Sequence, residues 1–477
     1  MRNIVPAGAL TAILIAAISS CSTPPREISE VPETPPGKLD IPEPQPEEDL
    51  NGAQLILVRM AALLGQNDYD GAISLFDEIK KEERESPRIQ LLKASVLLSA
   101  GRNGDSRAVV KAVLNGDAEN TDALFVLSTI ENADGNEKNQ RQLLEQIIKL
   151  RPGHTEALAA MGTILLQNRS YRNAASYFDR ALEADPKNGE ALVGLAGVYR
   201  YQREPQKAET LLNKAISLYP QWISARSDRA RLYREAGALT HALSDLDAAK
   251  TMAPDNYWVS YDRGNILLDM GRKPEALEEF QRAVSLGPDN FLAYVYSAGI
   301  KDDLGDYAGA EKDYLTVVRL KPDYYFAFEG LGMLRMRRGA WEDAKNAFLE
   351  AYKAAPQETS YALLAAANWI RAGKPQELKQ FLQNALRRVQ RESLEWYMMR
   401  LYHDLGGDSD VSVRVEREQN PETKQKMLFY LALYYDVRNN RSLADRYYLR
   451  VKEMGRPGTP EWRINEWTLE ERNLNVE

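Results

Sequence analysis

Proline recurs in this chain at a constant interval, and this interval constrains the fold more than any other feature of the sequence. An alanine lies twelve positions before six of these prolines; a large apolar residue follows the alanine after four positions, and an alanine or valine follows after three more. Spacings of four and three place side chains on one face of an α-helix. The prolines are Pro152, Pro186, Pro220, Pro254, Pro288, Pro322 and Pro356, and the alanines are Ala174, Ala208, Ala242, Ala276, Ala310 and Ala344.

A second apolar stripe recurs earlier in each interval. In the interval that ends at Pro186, the stripe has the spacing i, i+3, i+4 and i+7 of an amphipathic helix. Its members are Leu158, Met161, Gly162 and Leu165. Each interval therefore predicts two helices joined by a turn, with proline in the connector to the next pair. One such pair cannot bury its apolar face alone, so successive pairs are expected to stack.

This 34-residue unit resembles the tetratricopeptide repeat. In residues 155–186, every position that the family fills with Gly, Tyr, Ala, Phe, Ala and Pro is occupied, by Gly162, Tyr171, Ala174, Phe178, Ala181 and Pro186. Leu158 stands where the family has an aromatic residue early in the first helix. The resemblance implies an all-α fold, a right-handed superhelix (α-solenoid) of helix–turn–helix repeats with a groove along its inner face.

The strength of the pattern divides the body of the chain into three parts. Six clear repeats fill residues 154–356, and degenerate repeats precede them over 51–153. Residues 357–477 are expected to form further degenerate repeats and a C-terminal cap, because terminal repeats shield an open apolar face. The pattern is lost over 390–424, as a broken repeat or an insertion. We expect one continuous superhelix with a bend near 390–424.

Residues 1–21 carry signals for export and lipid attachment. Residues 4–18 are mostly apolar, but they are shorter than the roughly 17–25 residues that span a bilayer. A basic start and small residues at the end make 1–20 typical of a secretory signal peptide. Together with Cys21, the three residues before it, Ile-Ser-Ser, resemble the bacterial lipobox. The resemblance implies a diacylglyceryl group on the sulfur of Cys21. A chance cysteine after an ordinary signal peptide is the alternative.

Residues 21–50 are expected to form a tether. They hold eight of the 23 prolines, and between 22 and 50 they hold eight acidic and two basic residues. Proline removes the backbone donor and the acids repel one another, so such a stretch stays extended. Ser22, in place of the aspartate that retains lipoproteins in the inner membrane, favours the periplasmic face of the outer membrane.

The sequence carries no signature of catalysis. Motifs for nucleotide, zinc and calcium sites and for serine hydrolases do not occur. One cysteine excludes thiolate clusters, and the three histidines are expected at the surface rather than on a metal. A net charge of −8 lacks the basic excess of nucleic-acid binders. We therefore expect no enzyme, cofactor, metal site, nucleic acid or small-molecule substrate.

The resemblance implies that positions 2, 5, 9 and 12 of each first helix line the groove. Along the chain these positions change from arginine to aromatic and then to apolar residues. Arginine and aromatic residues are favoured binding anchors, so a segment with acids next to apolar residues is the expected ligand. Packing between adjacent repeats is the alternative role. The candidates are Arg200, Arg231, Arg234, Trp258, Tyr261, Asn265, Phe326 and Met333.

These observations predict a membrane-anchored periplasmic scaffold that binds other proteins through its groove. One alternative is a component or regulator of an envelope machine, for outer-membrane protein assembly or cell-wall synthesis. A remote alternative is a hidden hydrolase.

Overall fold

The computed structural model describes residues 52–66, 68–373 and 375–474. The predictions for the signal peptide (1–20), the tether (21–50) and the lipid on Cys21 lie outside these residues. Within them the chain forms α-helices, one short 3-10 turn at Leu75–Glu78, and no strand. None of the helices described is long and apolar enough to cross a bilayer. The helices are Gly52–Gly65, Tyr69–Ser74, Lys81–Arg84, Pro87–Ser99, Asn103–Gly116, Thr121–Ala133, Glu137–Leu150, Thr155–Gln167, Tyr171–Ala184, Gly189–Tyr201, Pro205–Leu218, Ile223–Glu235, Leu239–Met252, Tyr257–Asp269, Lys273–Leu286, Phe291–Asp303, Tyr307–Leu320, Tyr325–Arg337, Trp341–Ala354, Thr359–Arg371, Pro375–Leu386, Leu394–Asp404, Asp408–Arg417, Pro421–Val437, Arg441–Met454 and Pro460–Arg472.

The six clear repeats fold as predicted, each into a first helix of 13 residues and a second of 14. Each periodic proline lies in the connector between one hairpin and the next, where no helical hydrogen bond is lost. All six periodic alanines are completely buried. Their small side chains let neighbouring helices approach closely. The all-α fold of consecutive helical hairpins is confirmed.

The turn inside each hairpin requires a left-handed backbone conformation. Glycine supplies it in most repeats, as at Gly135, Gly237 and Gly271, because glycine has no Cβ to clash. Two repeats hold arginine instead: Arg169 has φ 58° and Arg203 has φ 61°. A side chain in this region costs roughly 1–2 kcal/mol relative to glycine.

The described residues form two compact units, divided between Asp245 and Leu246. In the first unit, the degenerate part of the sequence still forms full hairpins. Pro87–Ser99 pairs with Asn103–Gly116, and Thr121–Ala133 pairs with Glu137–Leu150. Gln140, which replaces a periodic alanine, is buried. The register therefore survives where the sequence signature fades.

In the second unit, the segment 390–424 is a short hairpin rather than an irregular insertion. Its helices, Leu394–Asp404 and Asp408–Arg417, have 11 and 10 residues. The next helix, Pro421–Val437, packs against both of them and also against Thr359–Arg371. A shortened hairpin thus leaves room for contacts between helices that are not neighbours in sequence.

The C-terminal helix Pro460–Arg472 does more than cap the last repeat. It packs on the preceding helix Arg441–Met454 and also on Pro421–Val437 and Tyr325–Arg337. Its N-terminus is capped by Thr459, whose hydroxyl accepts a hydrogen bond from Trp462 N at 3.1 Å. The C-terminal helix therefore folds back onto repeats that lie more than three helices earlier in the chain.

Candidate protein-binding groove

A groove of about 1060 Å³ runs along the first helices of successive repeats in the first unit. Thr121–Ala133, Thr155–Gln167, Gly189–Tyr201 and Ile223–Glu235 all contribute side chains to it. These four helices begin at equal intervals along the chain, so equivalent positions meet the groove in a regular row. The repeat itself therefore builds this surface.

Three of these four helices have a small residue at the ninth position, and these residues line the floor of the groove. These are Thr129, Thr163 and Gly197. The predicted stripe of one repeat lines the groove completely, through Glu190, Val193, Gly197 and Arg200.

One edge of the groove is basic. Arg200 pairs with Glu235 and stacks over the ring of Tyr201, with 4.8 Å from its guanidinium carbon to the ring centroid. Arg169 also lines the groove and is exposed, and its side chain makes no hydrogen bond or ion pair with any residue that the structure describes. Arg169 is one of the two arginines with the left-handed backbone conformation that glycine usually adopts. Backbone strain of this kind concentrates at functional sites.

The opposite edge carries the carboxylate of Glu190, at the N-terminal end of its helix. Within the described ranges this side chain has neither a hydrogen bond nor an ion pair. The surrounding walls desolvate it and thereby raise its pKa, and the nearby carboxylate of Glu156 raises the pKa further. Glu190 and Arg200 lie ten positions apart on one helix, which corresponds to about 15 Å along the axis. The groove therefore has an acidic edge and a basic edge.

The other two predicted arginines lie in the same unit, on helix Ile223–Glu235. Arg231 pairs with Asp228 at 2.9 Å, and Asp228 itself lines the groove. Arg231 and Arg234 are not among the lining residues. Arg200 is thus the one predicted arginine at the groove, whereas Arg169, in a turn outside the stripe, was missed. Most other repeats have glycine at this turn position, so the arginine at position 169 was the sequence signal that could have identified it.

The remaining candidates belong to the second unit. Trp258 and Phe326 are 43% and 49% exposed, as expected of side chains that meet a partner. Tyr261 is half-buried and packs edge-on against Trp258 and Tyr296. Burial raises its pKa above the ordinary range of tyrosine.

Two of the second-unit candidates are not open to a partner in this structure. Asn265 is 3% exposed and donates a hydrogen bond to the carbonyl oxygen of Tyr261 at 2.9 Å. Met333 is 7% exposed and lies beside a cavity of about 410 Å³ that Trp462 and Arg463 of the C-terminal helix also line. The expectation that both face an open groove is corrected: one packs within its own helix, and the other lies beneath the folded-back C-terminus.

The expectation of surface histidines fails at His154, which is 4% exposed. Its Nδ1 accepts a hydrogen bond from Ala157 N at 3.3 Å and so caps helix Thr155–Gln167. Asn120 and Asn188, one repeat before and one repeat after it, cap their helices in the same way. His154 therefore has a structural role. No group of His, Cys, Asp and Glu suited to a metal occurs among the residues searched, which are those the structure describes.

Family models for the tetratricopeptide repeat match this chain in both units. They cover residues 63–128, 159–221, 261–325 and 301–359. The matches include the degenerate N-terminal part as well as the clear repeats. These segments of the chain therefore match the tetratricopeptide repeat.

Several solved structures are similar to parts of the chain. A structure of Pseudomonas aeruginosa pilF is 20% identical, with 43% of this chain and 94% of that chain covered and a TM-score of 0.40. A tetratricopeptide repeat protein from Parabacteroides merdae is 21% identical, with 51% and 96% covered and a TM-score of 0.39. YrrB, described as having an unusual peptide-binding site, is 21% identical, with 39% and 95% covered and a TM-score of 0.30. No curated protein matches the chain.

Proposed function

We propose that this protein is a membrane-anchored scaffold that binds a segment of another protein in the groove of its first unit. The observation that carries the proposal is the groove itself. It is built by four equivalent helices, floored by small residues and edged by Arg169 and Glu190, whose charged groups are not used within the described structure. Tetratricopeptide repeats typically bind proteins, and this groove supplies a surface for that activity.

The charges of the groove define the segment that fits it. Arg169 offers a guanidinium group that can pair with a carboxylate through two parallel hydrogen bonds. Glu190 offers a carboxylate that lies about 15 Å from Arg200, measured along the axis of their shared helix. The preferred ligand is a segment with acidic residues along one side, basic residues along the other and small apolar residues towards Thr163 and Gly197.

Membrane anchoring is a proposal that rests on Cys21 and the residues around it. A diacylglyceryl group supplies two acyl chains, which suffice for stable attachment. The proline-rich tether then holds the repeats away from the bilayer. We propose the periplasmic face of the outer membrane as the location, and a role in an envelope machine as the more specific alternative.

Cys21→Ser is expected to abolish incorporation of labelled palmitate and to release the protein from the membrane fraction, whereas Ser22→Ala is expected to change neither. Labelling that survives Cys21→Ser contradicts the anchor.

The groove is tested with a matched pair of variants, Arg169→Gly and Arg203→Gly. Both replace an exposed arginine at positive φ with glycine, but only Arg169 lines the groove. A segment captured from envelope extract is titrated against both variants and the wild type. Loss of a charge-assisted hydrogen bond costs about 1.5–3 kcal/mol, so Arg169→Gly is expected to weaken binding by tenfold or more. Arg203→Gly is expected to bind like the wild type. Equal affinity of the two variants contradicts the proposal.

A further inference from the structure

The C-terminal helix Pro460–Arg472 is docked through a face of mixed polarity. Its buried residues are Glu461, Ile464, Asn465 and Leu469, and two of these four are polar. A helix that belongs permanently to a core usually buries an apolar stripe. Surfaces that dock and release are more polar than obligate ones. The composition of this face therefore favours a reversible contact.

Two side chains of this helix, four positions apart, contact residues between 302 and 337. Arg463 pairs with Asp302 at 3.0 Å and with Asp303 at 3.1 Å, both at the end of helix Phe291–Asp303. Trp467 meets the ring of Tyr307 edge-on, with 6.2 Å between the centroids, and its ring lies 4.9 Å from the guanidinium carbon of Arg337. This docking contact thus combines an ion pair with an aromatic contact.

Further contacts fix the two ends of the helix. The carboxylate of Glu461 accepts hydrogen bonds from the hydroxyl groups of Tyr430, at 2.7 Å, and Ser360. At the other end, Arg472 pairs with Asp436 and Asp445 of the preceding hairpin. Towards the earlier repeats, the bound helix therefore presents an acid, then an arginine two positions later, then an aromatic residue four positions after that.

The docked helix leaves polar groups without partners. Asn465 is completely buried, and neither its amide nitrogen nor its oxygen has a hydrogen bond to any described residue. Oε1 of Glu466 is also buried and has no hydrogen-bond partner among the described residues. Each unsatisfied buried group favours undocking, because water would satisfy it. The contact is therefore less stable than its area and its ion pair alone imply.

The connection that precedes the helix can allow it to swing away. The side chain of Gln425 holds the backbone of Arg456 through its N–H and carbonyl groups, so the chain is fixed up to this residue. Residues 457–459 read Pro-Gly-Thr, and Gly458 has a φ of 99°. The last helix begins at Pro460. A rotation about Gly458 would therefore move this helix without a break in another helix.

We propose that the surface beneath this helix is a second protein-binding surface, which the chain's own C-terminal helix covers as an intramolecular ligand. The surface consists of Asp302, Asp303, Tyr307, Arg337 and Ser360, and we call it the covered face. Its external ligand is a partner helix with the chemistry of the bound one: an acid, an arginine two positions later and an aromatic residue four positions after the arginine. The proposal concerns the second unit and does not rest on the groove of the first.

The test uses the full-length protein and, as probe, a fluorescein-labelled synthetic peptide of residues 457–474. In the release variant, Arg463→Glu with Trp467→Ala and Arg472→Ala, the chain's own helix loses the ion pairs of Arg463 and Arg472 and the aromatic contact of Trp467. Fluorescence anisotropy is expected to show binding at least tenfold tighter to this variant than to the wild type. Addition of Asp302→Asn and Asp303→Asn to the release variant is expected to abolish the gain. Arg414→Glu, which changes a half-buried arginine on helix Asp408–Arg417 outside these contacts, is the matched control and should bind like the wild type.

A second measurement uses the wild-type chain and so does not depend on how the variants fold. Saturating unlabelled peptide is expected to raise amide hydrogen exchange over residues 460–472, because the peptide displaces the helix. Equal affinity of wild type and release variant, or no affinity in either, overturns the proposal. Unchanged exchange at saturating peptide overturns it as well. A release variant that forms dimers and excludes the peptide assigns the covered face to a second copy of this chain and likewise overturns it.

Discussion

Arg463 of the C-terminal helix holds the carboxylate of Asp302 at 3.0 Å, although a long stretch of chain separates the two residues. Burial raises the pKa of Asp302 to about 6, and the neighbouring carboxylate of Asp303 adds to this. The positive charges of Arg463 and Arg337 act in the opposite direction but do not offset the burial. Burial likewise raises the pKa of Glu329, in the neighbouring repeat, to about 6. The stability of the second unit is therefore coupled to proton binding at these two carboxyl groups.

The second unit is expected to lose stability as the pH rises from about 4 to about 6. The folded state keeps protons on Asp302 and Glu329 that the unfolded chain, with ordinary carboxyl pKa values, has already released. The free energy of unfolding falls wherever the folded state binds more protons. For Asp302 the loss is roughly 2–3 kcal/mol. Urea unfolding followed by tryptophan fluorescence measures it, since all the tryptophans except Trp222 belong to the second unit.

Asp302→Asn is expected to flatten this pH dependence. Asparagine has the shape of the protonated aspartate but does not titrate, so the variant and the wild type should have similar stability near pH 4. The stability of the variant should then fall less by pH 6.5. The same slope in both proteins contradicts the coupling between Asp302 and the proton.

Gly162→Ala and Gly299→Ala are expected to change stability in opposite directions. A Cβ at Gly162 would lie 2.7 Å from the ring of Phe178, whereas a Cβ at Gly299 would meet nothing within 4 Å. Overpacking at the first site costs about 1–3 kcal/mol. At the second site, alanine in a helix interior stabilises by about 0.5–1 kcal/mol. Thermal melts of both variants provide the measurement, and a change of the same sign in both is inconsistent with the assigned packing.

His154 is expected to be replaceable by asparagine but not by alanine. His154→Asn restores the cap that Asn120 and Asn188 provide, whereas His154→Ala loses it at a cost of about 1 kcal/mol. Thermal melts of the two variants provide the measurement. Equal melting temperatures of His154→Asn and His154→Ala contradict the capping role of His154.

The fold could be predicted from the sequence because the same packing problem recurs in every repeat. The buried pairs Ala174 with Phe178 and Ala276 with Phe280 lie where the periodicity placed them. The predicted stripe lines the groove at Val193 and Gly197, since positions in one helix inherit the register of their neighbours, but it does not line the groove at Arg231 and Arg234.

The unpredicted features are those that break the repeat. The ion pair of Arg463 with Asp302 depends on where a non-repeating end of the chain turns back, and no periodicity records this. Burial of Met333 under that helix follows from the same contact. Arg169 was missed because it lies in a turn, outside the helical stripe, although its replacement of a periodic glycine marks it. The lipid on Cys21 and the domain boundaries before residue 52 stay predictions.

Site-specific photocrosslinking in native cells tests the central claim most directly. A photoreactive amino acid is placed at Thr163, on the floor of the groove, and at Glu183, which is exposed on the second helix of the same repeat. We expect Thr163 to crosslink to a partner, and this crosslink should be lost when excess groove-binding segment competes, whereas Glu183 should give no crosslink. Crosslinks from Glu183 without any from Thr163 would contradict the assignment of the groove as the binding surface.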